Sequence, residues 1–416
     1  MFENCPPSIG TYQSARNLLF AVLLVSTSVM AQDNSLDALA ISPEQRLKVF
    51  EEVWETVNKH YFDPQFNGVN WKQIREQYRP QAEAARNKTQ LNETLQKMLN
   101  ELRSSHLFVT VYVKLKKQHI EQDLERKVGR KESLSFDAGM KYVSIDGKLM
   151  VSAVAEDSGA HLAGVQRGWE LTHWNGESAL SDSPFTCELN RQIPLRFVDG
   201  EGKEKQIALT CRLYSEPPPQ RLTRRLENGA VMLRFSEFSP GTDFWLTDQI
   251  TQAQAAPAIV IDLRGNHGGT VAVLEKCLAP FFSAPTVLGE FRERNGKQPS
   301  LNTKGQGQKV YRGRVVVLID EKTASSAEIF AAALQETGRA IVVGRQSSGD
   351  VLGGLSYGLS HGFRVNIPVW DYYTAKGVRL EGRGVIPNET VILTLKDFAE
   401  NRDLDLQRTQ TLLQKP

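Results

Sequence analysis

The segment Asp320–Leu334, with the sequence DEKTASSAEIFAAAL, constrains the fold of this chain more than any other. It follows the aliphatic run Val315–Ile319, a pattern typical of a buried strand in a parallel sheet. A polar turn, Glu321–Ser325, interrupts the run, and apolar residues then recur at helical spacing up to Gly338, a residue type that favours the end of a helix. The sequence therefore predicts a strand, a tight turn and a helix, the repeating unit of an α/β domain.

This pattern places Ser325 where the turn enters the helix. The N-terminus of a helix offers unpaired N–H groups and partial positive charge, which stabilise an oxyanion that develops beside an attacking serine. A second interpretation is that Ser325 or Ser326 only caps the helix. The choice between a nucleophile and a cap depends on the rest of the chain.

Residues 1–31 have the pattern of a secretory signal peptide. Arg16 precedes the apolar run Leu18–Val25, and small or tolerated residues lead up to Ala31, after which we expect cleavage. A signal anchor is the alternative, but the run is short for a membrane span and no later stretch is apolar enough. The sequence predicts a periplasmic or secreted protein that needs no membrane association after cleavage.

The composition argues against several classes of function. The chain of 416 residues carries 50 basic and 48 acidic side chains, a net charge of +2. Because no Lys- or Arg-rich run stands out either, nothing favours nucleic acid as a partner. No group of His, Cys and carboxylate side chains has the spacing of metal ligands, so we expect neither a metal nor a cofactor.

Cysteine use is compatible with export. Cys5 would leave with the signal peptide, and Cys187 and Cys211 lie in one predicted domain, where they could pair in an oxidising compartment. The sequence leaves open whether they do. Cys277 lies among apolar helix positions with no base near it in sequence, so we expect a buried thiol.

Residues 42–113 are predicted to form a helical region. Ser42 and Asn70 are suitable caps for the first two helices, the first of which has proline at its first position. A third helix is predicted over Leu91–Leu102. The charged stretch Lys114–Lys131 then changes the composition and is expected to be a linker or an exposed helix.

Residues 133–215 are predicted to form a small β-rich domain, because short alternating strands are separated by the hairpin signals Asp146–Gly147 and Asn175–Gly176. Residues 221–400 are predicted to form a layered α/β domain, with a loop over Asn295–Gln308. Its strand candidates are Val231–Phe235, Ala258–Leu263, Val315–Ile319, Ala340–Val343 and Phe363–Val369.

Three further motifs carry side chains or backbone groups suited to catalysis. In Ile261–Gly269 a buried strand enters a glycine-rich turn, which exposes backbone N–H groups to negative charge, and the turn lacks the Gly-Lys-Ser/Thr ending of a phosphate loop. The pair Ser105–His106 follows the helical region, and Glu381 lies between two bends in Leu380–Pro387. Taken alone, a histidine is usually structural and a loop glutamate is usually a solvated charge.

The joint order of these motifs resembles the tail-specific or C-terminal processing serine peptidases, over nearly the whole mature chain. The resemblance implies a crotonase- or Clp-like spiral α/β catalytic domain, flanked by the helical region and by a PDZ-like domain over residues 133–215. It rests on Val53, Trp54, Tyr61, Trp71, Gly139, Ala163–Trp169, Asp262–Asn266, Thr323–Ala331, Gly338–Ala340 and Gly382–Pro387.

One departure from this family decides which of its branches the chain resembles. The processing-peptidase branch uses a Ser-Lys dyad, but Asp350 occupies the place of the lysine, and an aspartate cannot supply an unprotonated amine. The branch that resembles the tricorn core protease uses a Ser-His-Ser-Glu tetrad. It implies Ser325 as nucleophile, His106 as general base, and Ser105 and Glu381 as the groups that orient the base. An unperturbed histidine would lose activity at roughly pH 6 to 7 on acidification.

The same resemblance implies an oxyanion hole and a binding loop for substrate C-termini. The oxyanion hole would use the backbone amides of Gly268, Gly269 and Ser326. The PDZ-like domain would bind the substrate tail by strand addition, at a loop containing Phe136, Gly139 and Met140.

His267 is a second candidate for the general base, because it lies beside the oxyanion loop and a histidine can titrate near neutral pH. The family usually has proline at that position. His267 lies between glycines in the middle of a turn, so we expect it to point outward.

The leading functional hypothesis is an exported serine endopeptidase that acts on protein or peptide substrates. The alternative, motivated by Asp350, is a catalytically inactive protein on the same fold that binds peptides or hydrophobic ligands. A third hypothesis, an acyl-CoA enzyme, is disfavoured by the signal peptide and the PDZ-like region. The sequence does not determine the natural substrate, the cleavage-site preference, the oligomeric state, or whether the PDZ-like domain gates activity.

Overall fold

The computed structural model describes residues 40–111, 133–179, 192–216 and 221–414. The predicted signal peptide, the charged stretch Lys114–Lys131 and Cys187 lie outside these ranges. Within them, every helix is too short or too polar to cross a bilayer.

The described elements follow each other as a helical region, a β-rich region and an α/β region. The helices are α1 (Pro43–His60), α2 (Trp71–Ala84), α3 (Lys88–Asn100), α4 (Gly159–Leu162), α5 (Thr242–Gln252), α6 (Val271–Leu278), α7 (Ser326–Glu336), α8 (Leu395–Ala399) and α9 (Leu404–Gln414). The strands are β1 (Phe108–Val111), β2 (Ser133–Asp137), β3 (Met140–Ile145), β4 (Lys148–Val154), β5 (Glu170–Trp174), β6 (Glu177–Ser178), β7 (Gln192–Val198), β8 (Glu204–Thr210), β9 (Arg212–Glu216), β10 (Arg221–Arg225), β11 (Val231–Phe235), β12 (Ala258–Asp262), β13 (Thr286–Glu293), β14 (Ser300–Thr303), β15 (Arg314–Ile319), β16 (Ile341–Gly344), β17 (Gly353–Gly358), β18 (Phe363–Thr374) and β19 (Glu389–Thr390).

The three N-terminal helices form where the sequence predicts them. Ser42 caps α1 in a capping box with Gln45, and Asn70 caps α2 by accepting a hydrogen bond from the Gln73 backbone. Helix α3 begins three residues before the predicted start, because Asn87 supplies a cap there. The local capping signals therefore set these helix starts.

The helical region is not separate from the α/β domain. Strand β1 pairs antiparallel with β18, with Val109 opposite Val365. The buried face of the helices also shares one core with Phe363, Val365 and Ile367 of β18. Residues 108–111 thus belong to an antiparallel sheet of β1, β18, β13 and β14, with β17 also paired to β18.

The described residues between 133 and 216 form an antiparallel sheet in the order β3-β4-β5-β7-β8, with β6 beside β5, and a separate β2-β9 pair. Its turns at Asp146–Gly147 and Asn175–Gly176 connect hairpins as predicted. Arg167 attaches it to the C-terminal segment: the guanidinium lies 4.2 Å from the centre of the Phe398 ring and donates a 3.1 Å hydrogen bond to the Phe398 carbonyl.

A second six-stranded sheet, in the order β10-β11-β12-β15-β16-β19, carries the catalytic motifs. Its strands are parallel except for β10, and the aliphatic run of β15 is buried between β12 and β16. Asp262 at the end of β12 lies opposite Leu318 near the end of β15. The turns that follow these two strands therefore leave the same edge of the sheet, where ligands usually bind in parallel sheets.

Two predicted boundaries in the α/β domain are wrong. Strand β14 lies inside the predicted loop Asn295–Gln308. Its alternate residues Leu301 and Thr303 are buried in the protein core, but a strand of four residues is too short to recognise from its sequence pattern. The domain also continues past residue 400, because Leu406 and Leu412 of α9 pack into the core under the parallel sheet.

Candidate active site

Ser325 joins the end of the β15 turn to the first residue of α7. Its backbone has φ 56° and ψ −127°, a conformation that non-glycine residues rarely adopt and that differs from the extended backbone of an ordinary helix cap. Its N–H lies 2.9 Å from both the Asp350 carbonyl oxygen and Glu328 Oε2. The surroundings thus hold a strained turn in place, as is common at catalytic residues.

The glycine-rich turn after β12 packs directly on Ser325. A Cβ atom added to Gly268 would lie 2.6 Å from the Ser325 Cβ and 2.9 Å from the Ser326 nitrogen. The backbone φ of Gly268 is also +95°, so both space and conformation require glycine here. The glycine-rich turn and the nucleophile turn therefore meet at Ser325.

The structure changes the expected set of oxyanion donors. The Gly268 N–H donates a 2.9 Å hydrogen bond to Oδ1 of the fully buried Asn266, so it is not available to a ligand. Among the described residues, the N–H groups of Gly269 and Ser326 have no hydrogen-bond partner. The Ser326 hydroxyl donates a 2.8 Å bond to the Gly269 carbonyl, which fixes these two residues relative to each other.

Ser105, His106 and Glu381 form one hydrogen-bonded chain. Glu381 Oε1 accepts the Ser105 N–H at 3.0 Å, and Oε2 accepts the Ser105 hydroxyl at 2.8 Å. The Ser105 oxygen lies 3.1 Å from His106 Nδ1. Because the hydroxyl gives its single hydrogen to the carboxylate, it accepts from Nδ1–H, and the proton-free nitrogen of a neutral His106 is Nε2.

The position and burial of His106 suit a neutral base. Its carbonyl accepts a 2.6 Å hydrogen bond from Asn366 Nδ2, which holds the residue at a left-handed φ of 57°. Burial lowers the pKa of His106 to about 4, so the imidazole is unprotonated near neutral pH. We therefore expect activity to be lost on acidification at a lower pH than the roughly pH 6 to 7 expected from an unperturbed histidine.

A short backbone segment joins this chain to the nucleophile. The Val351 N–H donates to Glu381 Oε2 at 3.0 Å, and the preceding residue, Asp350, accepts the Ser325 N–H. No hydrogen bond joins His106 to Ser325 directly within the described residues. Such bonds are often long before a substrate is bound.

Glu328 is a site residue that the sequence analysis missed. Its side chain is fully buried and accepts four hydrogen bonds, from Ser325 N–H, Ser347 Oγ, Gly349 N–H and Asp350 N–H, at 2.6–3.0 Å. Burial raises the pKa of this carboxyl group, and the hydrogen bonds from these donors oppose the rise. The signal that could have found it is the Ser-x-x-Glu spacing of Ser325 and Glu328, which is typical of a capping box.

The other candidate residues of the catalytic domain lie as follows. The side chain of Asp350 is mostly buried and accepts a short hydrogen bond from the Ser348 hydroxyl. His267 is exposed, as expected for the middle of the turn. Cys277 is a fully buried free thiol, also as expected, and burial raises its pKa.

The loop proposed to bind substrate C-termini is shaped by Gly139. Its φ is +74°, and an added Cβ would lie 2.0 Å from the Ser158 Cβ, so the loop packs tightly on the start of α4. Phe136 lies in β2, opposite Leu213. Met140 is only 6% exposed, and its side chain packs in the core of the β-rich domain.

Comparison with known families agrees with this arrangement. Residues 230–391 match the model of peptidase family S41, and this range contains the nucleophile turn, the glycine-rich turn and Glu381. Residues 42–100 match the model of the tricorn protease C1 domain, which corresponds to the three N-terminal helices.

Curated relatives cover most of the chain at low identity. A carboxyl-terminal-processing protease of Synechocystis is 25% identical over 405 residues, covering 91% of this chain and 88% of the relative. A putative tricorn protease homolog 2 of Streptomyces coelicolor is 24% identical over 383 residues, which are 85% of this chain but only 31% of that protein. The chain thus spans about a third of the tricorn homolog and nearly all of the processing protease.

Solved structures share the fold. The photosystem II D1 C-terminal processing protease superposes with a TM-score of 0.56 at 21% identity, covering 84% of this chain and 94% of that one. Mature CPAF superposes with a TM-score of 0.66 at 12% identity, covering 89% and 96%. The tricorn protease gives 0.55 at 14% identity, with 90% of this chain on 37% of that one. Over residues 230–391 the chain is therefore similar to peptidase family S41, and its relatives support a serine-type peptidase.

Proposed function

We propose that this chain is an exported serine endopeptidase that cleaves polypeptides with the tetrad Ser325, His106, Ser105 and Glu381. The observation that carries the proposal is the hydrogen-bonded chain from Glu381 through Ser105 to His106 Nδ1, which leaves Nε2 as the basic atom. The link through Asp350 and Val351 brings this chain to the nucleophile turn.

In the first chemical step the Ser325 oxygen attacks the scissile carbonyl carbon, and its proton passes to His106 Nε2. The imidazolium that forms keeps its Nδ1–H on the Ser105 oxygen, and the Glu381 carboxylate stabilises the positive charge through that hydroxyl. His106 then returns the proton to the leaving amine, and a water molecule hydrolyses the acyl-enzyme by the same route in reverse.

The negative charge of the tetrahedral intermediate would lie at the N-terminus of α7. The unpaired N–H groups of Gly269 and Ser326 are the donors that support an oxyanion hole there. The helix dipole adds to their effect, because its positive end faces the same point.

Substrate capture is assigned to the β-rich domain at residues 133–215. Its sheet has strand edges on which a peptide tail can add as a further strand, and the tight turn at Gly139 is the proposed site for the terminal carboxylate. The relatives include carboxyl-terminal-processing proteases, which supports a substrate presented by its C-terminus.

Export is supported by two features. Residues 1–31 have the signal-peptide pattern, and Cys211 is disulfide-bonded, as expected outside a reducing cytosol. Relatives from a cyanobacterium and one named as chloroplastic are compatible with a location outside the cytoplasm.

The second candidate function, an inactive binding protein, is motivated by Asp350 in the place of a catalytic lysine. Labelling with a serine-reactive fluorophosphonate separates the two functions. We expect the purified protein to be labelled and Ser325→Ala to remain unlabelled. A wild-type protein that neither reacts with the probe nor cleaves any member of an unfolded-peptide library would overturn the enzymatic proposal.

A further inference from the structure

Strand β17 has one edge without a strand partner among the described residues. It pairs with β18 over Gly353–Gly358, with one register shift between Gly353 and Gly354, and β1 and β13 occupy the other side of β18. The sequence Gly-Gly-Leu-Ser-Tyr-Gly contains neither a charge nor a proline, and Leu355, Ser356 and Gly358 are exposed. Proteins usually protect such edges with charged residues, proline or bulges, because an open edge is a template for another strand.

This edge begins at the catalytic residues. Val351, two residues before β17, donates to Glu381, and Asp350 accepts the N–H of Ser325. A Cβ atom at Gly354 would lie 2.3 Å from Nδ2 of Asn366, the atom that holds the His106 carbonyl. The orienting carboxylate and the nucleophile therefore contact residues 350–351, and the residue that holds the base, Asn366, lies beside Gly354.

The direction of the backbone groups along β17 follows from the pairing. Residues of an antiparallel strand direct their N–H and C=O groups alternately to one side and the other. The carbonyl of Pro368, which lies opposite Gly354, accepts a hydrogen bond from the Phe62 N–H and is not paired with β17. The backbone N–H and C=O groups of Leu355 and Tyr357 therefore face β18. Those of Gly354, Ser356 and Gly358 face the open edge.

We propose that β17 binds the backbone of the substrate: an extended polypeptide adds as a strand to its open edge and is thereby led to Ser325. The proposal rests on the peptidase function above. With about 3.3 Å per residue, β17 spans about six substrate residues. Because the strand offers glycines and small or neutral side chains rather than charged pockets, recognition would depend on substrate backbone hydrogen bonds and tolerate many sequences.

The first experiment removes one backbone donor from the edge. Ser356→Pro deletes an N–H that faces away from β18, a position where an edge strand tolerates proline. We expect KM for an unstructured peptide of ten residues to rise about five- to tenfold, as for the loss of one strand hydrogen bond. Ser356→Ala, which keeps the N–H, should cleave this peptide about fivefold or more faster than Ser356→Pro at low substrate concentration.

Fluorophosphonate labelling of Ser356→Pro tests the edge-strand proposal separately from the peptidase function on which it rests. The small probe makes no strand contacts, so the ratio of peptide cleavage to labelling should fall in the proline variant. If wild type is neither labelled nor able to cleave the peptide, the peptidase proposal fails. If wild type is labelled and Ser356→Pro cleaves the peptide with an unchanged KM, the peptidase function stands and the edge-strand proposal is overturned.

A substrate series tests the same pairing from the other side. A single N-methyl group at successive positions of the peptide should raise KM at every second position and leave the intervening positions nearly unchanged, because only alternate amides face β17. Effects without this alternation would contradict the proposal. So would a change in sedimentation of Ser356→Pro with unchanged KM, since the edge would then pair two copies of this chain.

Discussion

Glu328 and Glu381 lie behind opposite halves of the site and hold them in different ways. Glu328 is fully buried, and three of its four hydrogen bonds come from backbone N–H groups around the nucleophile turn. Glu381 is half-buried and accepts the backbone N–H groups of Ser105 and Val351 together with the Ser105 hydroxyl that orients the base. The nucleophile turn is thus held by a fully buried carboxylate, whereas the base is held through one side-chain hydroxyl by a half-buried carboxylate, and the two carboxylates should respond differently to the same substitution.

The comparison has meaning only if both halves act in one reaction. Ser325→Ala and His106→Ala should each reduce kcat/KM for a peptide by about three orders of magnitude or more, and the double variant should be little worse than either, because nucleophile and base act as a unit. Steady-state hydrolysis at pH 7.5 measures this. A His106→Ala variant with near wild-type rates would show that another group is the base.

Glu328→Gln should have the larger effect of the two carboxylate substitutions. Whichever way the amide group is oriented, its NH₂ group faces at least one backbone N–H, which leaves buried donors unpaired at a cost of about 1–3 kcal/mol. We expect kcat to fall about 10- to 100-fold with KM changed little, because the nucleophile turn and not the substrate contact is disturbed.

The matched control for this substitution is Glu336→Gln, at the other end of the same helix, where the carboxylate accepts one long hydrogen bond from Lys376. Its kinetics should equal those of wild type. Equal kinetics for Glu328→Gln and wild type would show that Glu328 does not position the nucleophile turn.

Glu381→Gln should cost about tenfold in kcat: its amide oxygen can still receive the Ser105 hydroxyl, but its NH₂ group then faces the Ser105 N–H, and the neutral group no longer stabilises the imidazolium. Ser105→Ala should give a loss of similar size, because it interrupts the same relay, and the double variant should be little worse than either single variant. Additive losses in kcat would show that Ser105 and Glu381 act separately.

Asp350→Asn should change kcat by about threefold at most. The groups of Asp350 that hold Ser325 and Glu328 are its carbonyl and its N–H, and both remain in the variant. Asp350→Lys should not create a Ser-Lys dyad, because nothing there is arranged to keep an amine neutral. Peptide hydrolysis by the double variant His106→Ala/Asp350→Lys tests this, and we expect its kcat/KM to equal that of His106→Ala alone.

The smallest effect expected is that of mild acid. With the pKa of His106 lowered to about 4, kcat/KM should fall less than about twofold between pH 7 and 5 and reach half near pH 4. The sign follows from the neutral base being the active form. The unfolded chain binds this proton from about pH 6.5 downward, so stability should decrease between pH 6.5 and 4. If kcat/KM instead fell to half its maximum at pH 6 to 7, the pKa of His106 would not be lowered by burial.

The sequence predicts the elements that depend on nearby residues. Caps and helical spacing place α1, α2 and α7, and the aliphatic run of residues 315–319 predicts β15, because these signals act within a few residues. Ser325 is a candidate from its local strand, turn and helix pattern, whereas Ser105, His106 and Glu381 come from the order of family motifs. The structure brings three of them into direct hydrogen-bond contact.

The tertiary structure alone decided what depends on contacts between distant segments. The loss of Gly268 as an oxyanion donor depends on the orientation of the buried Asn266 side chain, and the four bonds of Glu328 need the segment 347–350 to fold over α7. The low pKa of His106 depends on burial. The sequence determined which chemical groups are present and which short elements carry them. Their hydrogen-bond partners, burial and protonation were set by packing between residues far apart in the chain, because no short-range signal encodes those contacts.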